Sequence, residues 1–550
     1  MPGRFDVSTP SPERNATTVA IIGGGATGVG ILRDLSMRGI PAVLLERQAL
    51  AAGTSSRFHG LLHCGGRYAV GDPEAARECI QENRILRHIA PNCIESPEGF
   101  FVLTPEDDPA YEKTWLEGCA KAGIATSPVD PDEARRLEPG LSPDIKVVHR
   151  VPDASVDGFR LVWHNWLSAR EHGGQLRLRH QVTGILQDGG KVAGLRVLDR
   201  NKGEEYVLNC DMVVSAAGPW AGEVAAMAGI HVDITPDRGT LVVFNHRFAS
   251  RIVNRLHRSG DGDIFVPVGT VTILGTTSFT ADGPEDTLPT SEEVLRLLDL
   301  GAPVFPDLRS HRILRAFAGV RPLYTPPNTA HGRGGSRNFV IVDHADQGLA
   351  GMVSIFGGKL TTYRLMAEKI GDLVAKRLGV NAPCATARTP LSPPPSRSDM
   401  EKASKIFPVS ALRQAAERQG AAFPKLVKGL AEGRGAEFLC ECEMVSRAEV
   451  ELTAMESPAF NLNDIRVRTR IGMGTCQGAF CPLRSMGALH AAGIREDLDP
   501  RRELSRFLGE RWKGLRPALW GVQVQEIELS REIYGATFNL GNSREDGETS

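Results

Sequence analysis

The eight residues GGGATGVG at 23–30 constrain this chain more than any other stretch, because they sit between the β-branched run TVAII and the apolar-periodic ILRDLSMRGI. A second apolar run, PAVLLE, follows at once and ends on Glu46. Strand, glycine turn, helix and strand in that order predict a βαβ unit. Gly23-x-Gly25-x-x-Gly28 has the spacing of a dinucleotide cradle: the first glycine allows the tight turn, the second lets backbone approach a pyrophosphate, and the third lets helix and strand pack closely. The pyrophosphate rests on the helix N-terminus in such a unit. Glu46 stands 18 residues after Gly28, where a carboxylate can accept both hydroxyls of a ribose.

The chain has 550 residues and a formal net charge of −2, with 41% hydrophobic and 24% charged residues. That length predicts several domains, and the composition excludes a disordered or fibrous chain. Near-neutral charge argues against a nucleic-acid binder. The first 17 residues read as a polar tail with no apolar leader, which predicts a cytoplasmic chain. Residues 18–384 alternate helix-like and strand-like runs, with an antiparallel layer expected over 232–338. Proline and serine crowd residues 385–400, which predicts an extended linker. A helical segment with four cysteines follows over 401–490, and a tail over 491–550.

The glycine fingerprint alone does not separate FAD from NAD. The blocks TSSRFHGLLHCGGRY (54–68), AGVRPL (318–323) and FGGKLTTYR (356–364) carry further information. With the fingerprint they resemble the FAD-dependent glycerol-3-phosphate dehydrogenases, in the D-amino-acid-oxidase-like flavoprotein class. The resemblance implies an α/β fold in which an FAD-binding Rossmann-like domain carries an antiparallel-sheet substrate domain. It also implies that Thr54, Ser55 and Ser56 lie near the pyrophosphate, and that His63, Gly65 and Gly66 border the isoalloxazine. Gly357, Gly358 and Lys359 would approach the pyrimidine end of the flavin, Val182 the adenine, and Ala217 and Gly218 a second dinucleotide-side turn. Arg321 matches the substrate arginine, with Arg67, Lys359 and Thr361 supporting it.

A phosphate ester calls for arginine or lysine donors in an enclosed space. Oxidising its secondary alcohol also requires a neutral base, for which His63 is the first candidate and His344 the second. The expected catalytic set is therefore His63, Arg321 and Lys359. A carboxylate substrate would also need an arginine, so an opine- or sarcosine-like amino acid is an alternative. A non-catalytic iron–sulfur assembly module is a second.

Cys440 and Cys442 form C-x-C, and Cys476 and Cys481 form C-x4-C after 33 intervening residues. Two close pairs of thiolates satisfy either zinc or an iron–sulfur cluster. The surrounding RTRIGMGTCQGAFC resembles the bacterioferritin-associated-ferredoxin-like domain, which implies a [2Fe–2S] cluster in a small helical C-terminal domain. The whole arrangement is similar to the A subunits of anaerobic glycerol-3-phosphate dehydrogenases. That resemblance implies partner subunits of a membrane-associated complex at the inner face of the cell membrane, with a quinone as eventual acceptor. Trp512 and Trp520 mark a candidate docking patch.

Overall fold

The computed structural model describes residues 15–324, 338–456 and 461–540. The polar tail expected over 1–17 lies outside them except for its last three residues, and Ala16 and Thr17 already belong to the first strand.

That strand, β1 (Ala16–Ile22), leads through the glycine turn into helix α1 (Ala26–Met37) and strand β2 (Ala42–Glu46). β1 pairs in parallel with β2 on one side and with Glu204–Ser215 on the other. Val19 and Ile21 enter one apolar cluster, Ala20 and Ile22 the opposite one. Burial on both faces is why this strand reads as a continuous apolar run rather than an alternating one. An eight-stranded sheet grows from this centre, ordered His180–Asp188, Lys191–Asp199, Glu204–Ser215, β1, β2 and Gln175–Leu178. Met352–Gly357 joins the C-terminal end of Glu204–Ser215 in parallel, and Phe339–Asp343 pairs beside it. α1 packs between the helices Gly158–Glu171 and Tyr363–Leu378. A β-carbon at Gly30 would lie 3.0 Å from the Tyr363 ring, so the small residue sets how closely those helices approach.

The second lobe is a nine-stranded sheet centred on Ile234–Phe244, which pairs antiparallel with Ile313–Tyr324 and Val271–Gly275. The expected antiparallel layer is present, but it is larger than the sequence stretch that announced it. Gly99–Leu103, Ser127–Pro128 and Val147–Val151 extend it, with Gly99–Leu103 running parallel to Ile252–Arg255. This lobe therefore takes strands from two separated parts of the chain.

The proline-rich stretch has no regular structure until the helix Arg397–Ala403, yet it is fastened to the first lobe. Arg33 donates to the Thr389 carbonyl at 2.7 Å, the Leu391 amide donates to Ile89 O at 2.8 Å, and Leu391 is buried. Beyond it, seven α-helices and a short hairpin build two apolar clusters among the described residues. The stretch expected as a tail is mostly helical, over Pro500–Leu515 and Val522–Thr537. Phe507 drives this: it is buried, and its ring fills the space above Gly472 and Gly478, where a β-carbon would come within 2.5 and 2.6 Å of it. Arg179–Asp464 at 2.7 Å and Arg470–Asp157 at 3.2 Å tie the cysteine-bearing region to the first lobe. Among the described residues no helix is long and apolar enough to cross a membrane.

Candidate active site and cysteine site

The glycine turn is built so tightly that side chains are excluded at its key positions. A β-carbon on Gly28 would lie 1.9 Å from the carbonyl oxygen of Gly23, which is the close helix–strand packing its position predicts. Gly23 has φ +111°, and a β-carbon there would meet Ala216 O at 2.6 Å, so this turn abuts the Ala217–Gly218 turn. Gly25 caps α1, and the Ala26 amide donates to Ser55 Oγ at 2.9 Å. Glu46 accepts from the amides of Gly24 and Gln48, each at 2.7 Å. Burial raises its pKa, and these two amide donors oppose that rise. Gly24 lies outside the fingerprint, yet a β-carbon there would fall 2.9 Å from Glu46 Cγ.

Of the expected pyrophosphate residues, Ser55 meets the α1 N-terminus. Thr54 instead donates to Val320 O and faces the second lobe, while Ser56 donates to Ala51 O at 2.6 Å. Val182 buries its side chain and sits at a register shift in its hairpin. A helix N-terminus, a hydrogen-bonded carboxylate and a cradle that β-carbons would fill are the donor set and the space that an FAD requires, so the residues fit the group.

On the other side of the cleft Gly357 and Gly358 both have positive φ, +78° and +72°. β-carbons there would strike Asn338 O at 2.8 Å and Met366 Sδ at 2.6 Å. Lys359 follows, with its ammonium 4.5 Å above the Tyr68 ring. Thr361 is buried and accepts from the His63 amide at 3.2 Å, so it positions the His63 backbone. Gly65 has φ +99° and backs onto Ala76, while Gly66 backs onto the Phe101 ring and receives the Trp115 indole N–H on its carbonyl at 2.9 Å.

His63, Arg67 and Arg321 come together around one cavity of about 90 Å³ between the two lobes. The sequence reading missed Arg57 and His59 in its wall, although both lie in the TSSRFHGLLHCGGRY block. Their only signal was a pair of nitrogen-bearing side chains between Ser56 and His63. Each of the two expected arginines holds a carboxylate. Arg321 pairs with Asp237, directly opposite on the neighbouring strand, and also donates to Thr276 Oγ1 and, at 3.2 Å, to Thr277 O. Arg67 pairs with Asp263 at 2.8 Å. Burial alone would raise the Asp263 pKa, but Arg67, His257 and the Gly260 amide overcome it and hold the carboxyl at about 2. His344 does not line this cavity: it is buried, with its ring nitrogens bonded to Gln347 at 2.6 Å and Ser354 at 2.8 Å.

The four C-terminal thiols are neighbours, but they pair across the two sequence motifs. Cys440 and Cys481 act on each other electrostatically, as do Cys442 and Cys476, and Cys442 Sγ also meets Thr475 Oγ1 at 3.6 Å. The neighbouring Cys481 thiol draws Cys440 down to about 7 against its burial, while Cys481 is pushed up. Gly474 backs onto Cys442, where a β-carbon would come within 2.4 Å of Cys442 Cβ. Arg466, Arg484 and Arg511 lie within electrostatic reach of these thiols. Among the described residues no group of three or more His, Cys, Asp or Glu is placed to hold a metal ion. Trp520 is 43% exposed, whereas Trp512 is covered by the Arg531 guanidinium at 4.9 Å.

The FAD dependent oxidoreductase family model matches residues 18–364. The chain is 41% identical over 540 residues to the A subunit of the anaerobic glycerol-3-phosphate dehydrogenase of Escherichia coli (strain K12), covering 97% of this chain and 99% of that protein. It is also 41% identical over 545 residues to the A1 subunit of the corresponding dehydrogenase from Haloferax volcanii, covering 96% of this chain and 91% of that protein. The crystal structure of the glycerol-3-phosphate dehydrogenase from Bacillus halodurans complexed with FAD shares the fold, with a TM-score of 0.67 at 22% identity over 93% of this chain and 97% of that one. The chain thus belongs to the FAD-dependent oxidoreductases and, within them, to the family of anaerobic glycerol-3-phosphate dehydrogenase A subunits.

Proposed function

We propose that the chain oxidises sn-glycerol 3-phosphate to dihydroxyacetone phosphate. The observation that carries this reading is the cavity in which His63, Arg67 and Arg321 meet beside the glycine cradle. FAD, when bound, would supply the hydride acceptor for the substrate carbon. Gly23, Gly25, Gly28, Glu46 and Ser55 would hold its dinucleotide half, with Val182, Ala217 and Gly218 along the adenine side. Gly65, Gly66, Gly357 and Gly358 leave backbone N–H groups for its ring. His63 takes the hydroxyl proton, and its orientation is supported by Thr361 on its amide and by the Tyr68 ring at 5.5 Å. Arg67 and Arg321 bind the phosphate with planar guanidinium edges that their carboxylate partners aim. Lys359 adds a cationic charge at the flavin end of the cleft, where negative charge develops.

Cys440, Cys442, Cys476 and Cys481 would be the ligands of a [2Fe–2S] cluster in this reading. Its fit rests on two thiol pairs, each drawing one cysteine from each motif, and on the arginines around them, which balance the charge of four thiolates. Such a cluster carries single electrons. Partner subunits would receive them and pass them towards a quinone at the inner face of the membrane. Support comes from the relatives, each named as one subunit of a larger enzyme, and from the exposed Phe480 inside the cysteine motif.

A turnover assay with an artificial electron-accepting dye tests the substrate reading. Glycerol 3-phosphate should sustain dye reduction, and glycerol and sarcosine should not. Preferential turnover of an amino acid would replace this reading with the amino-acid alternative.

A further inference from the structure

We infer that Arg57 is a substrate-binding residue whose guanidinium supplies the uncommitted positive charge for the substrate phosphate. This rests on reading the cavity as the glycerol 3-phosphate pocket. Arg57 lines the wall that Arg67 and Arg321 share. The turn that carries it is fastened to the strand Ile313–Tyr324: Thr54 donates to Val320 O, and a β-carbon on Gly319 would meet Arg57 O at 2.3 Å and Arg57 Cβ at 2.8 Å. Gly239 stands opposite Gly319 in the ladder, and a β-carbon there would fall 2.3 Å from the Arg321 guanidinium. Two paired glycines thus give up their side-chain space, one to each arginine. Gly319 and Arg321 are two residues apart and share a strand face, so the backbone fixes Arg57 beside Arg321.

The charge balance of the cavity separates Arg57 from the other two arginines. Arg67 faces Asp263 and Arg321 faces Asp237, so those two cations are already matched. Arg57 has no ion pair and no side-chain hydrogen bond among the described residues. Glu510 and Glu285 act on it from further away, and both are engaged elsewhere. Glu510 accepts from Lys513 at 2.9 Å, while Glu285 accepts from the Trp220 indole N–H at 3.0 Å and pairs with Arg47. Arg315 adds a like charge nearby. Burial pulls the Arg57 pKa below its ordinary value against those two carboxylates, yet a guanidinium stays charged at neutral pH. A buried cation without a committed partner is stabilised when an anion arrives. A phosphate monoester brings close to two negative charges, and a planar guanidinium can give it two parallel N–H donors. Glycerol brings no such charge, so Arg57 is also a residue that separates the ester from the free alcohol.

Arg57→Gln should raise KM for glycerol 3-phosphate about thirtyfold with little change in kcat, the signature of a charged contact made equally in ground and transition states. Inorganic phosphate, used as a competitive inhibitor, should weaken by a similar factor, a readout that a purely structural arginine would not move. Arg57→Lys should recover part of both losses, because it restores the charge without the planar grip. Flavin content and melting temperature report whether each variant is folded.

Unchanged KM and unchanged phosphate inhibition in folded Arg57→Gln would overturn the inference, as would a fall in kcat at unchanged KM. An equal drop in melting temperature in Arg57→Gln and Glu510→Gln, with KM unchanged in both, would assign Arg57 to packing against the helix Pro500–Leu515 instead. If Arg57→Gln loses its fold, Arg57→Lys decides: a raised KM with weakened phosphate inhibition upholds the inference, and unaltered values of both overturn it. If the unaltered protein fails to oxidise glycerol 3-phosphate, the substrate reading falls. If it succeeds and Arg57→Gln matches it, only the role of Arg57 falls.

Discussion

Replacing Gly28 with alanine tests whether the glycine cradle is the structural centre of cofactor binding. The added methyl would sit 1.9 Å from Gly23 O, a backbone atom that no rotamer change can move aside. Opening that contact to an ordinary separation of about 3.4 Å requires the α1 N-terminus and the turn to part by about 1.5 Å, an overpacking that costs roughly 1–3 kcal/mol. The amides displaced by the shift are those that would meet the pyrophosphate, so a loss of about 2 kcal/mol would weaken FAD binding by about 30-fold. Gly39→Ala is the control at the other end of α1. Gly39 has φ +75° with nothing within 4 Å of a β-carbon, so alanine there strains only the backbone, by about 1 kcal/mol. Flavin retained after gel filtration and the melting temperature provide the assay. Gly28→Ala should lose both flavin and stability, and Gly39→Ala should lose only a little stability. A Gly28→Ala protein with full flavin content and an unchanged melting temperature would refute the reasoning.

Arg321→Lys should raise KM for glycerol 3-phosphate more than it lowers kcat, because one ammonium cannot bind phosphate while keeping Asp237, Thr276 and Thr277; an unchanged kcat/KM would take Arg321 out of the site. His164 is buried against Ser392, and burial, with Arg160 adding to it, lowers its pKa to about 4. The unfolded chain takes up a proton below about pH 6.5 that the fold refuses, so stability from this group is present above that pH and falls by about 2 kcal/mol between about pH 7 and about pH 5. Denaturant unfolding at the two pH values should show that slope, and His164→Gln should flatten it; an equal slope in both proteins would contradict the assignment. Any single Cys→Ser change at Cys440, Cys442, Cys476 or Cys481 should remove most iron and sulfide from the purified protein while substrate still reduces the flavin. One zinc with no sulfide in the unaltered protein would leave the quartet a structural zinc site.

The βαβ unit was legible because its information is local: three glycines at fixed spacing, and a carboxylate closing the next strand. Gly28 and Gly23 behave as that pattern requires, and the structure adds Gly24, which yields its side chain to Glu46. The second lobe was legible only in part. Pairing Gly99–Leu103 with Ile252–Arg255 joins residues about 150 positions apart, and no period in either segment announces its partner. Thr54 and Thr361 were found by position, and the structure adds their protein partners, Val320 O and the His63 amide, which a block match cannot name because it fixes where a residue lies and not which way its side chain turns. Arg57 and His59 were passed over for the same reason. The C-terminal helices were hidden by a mostly polar sequence whose few apolar residues, Leu504, Phe507 and Leu515, cover the cysteine region and the second lobe. The crossed thiol pairing likewise depends on how the hairpin at Phe438–Cys440 meets the helix Cys481–Ala491, which spacing alone does not encode.

Anaerobic titration of the purified protein with glycerol 3-phosphate, followed through the visible absorption of the flavin, tests the central claim most directly. The account predicts bleaching of the oxidised band, dihydroxyacetone phosphate formed in proportion to the flavin and cluster reduced, and no bleaching with glycerol. A flavin that stays oxidised with glycerol 3-phosphate, but is reduced by dithionite or by an amino acid, would contradict it.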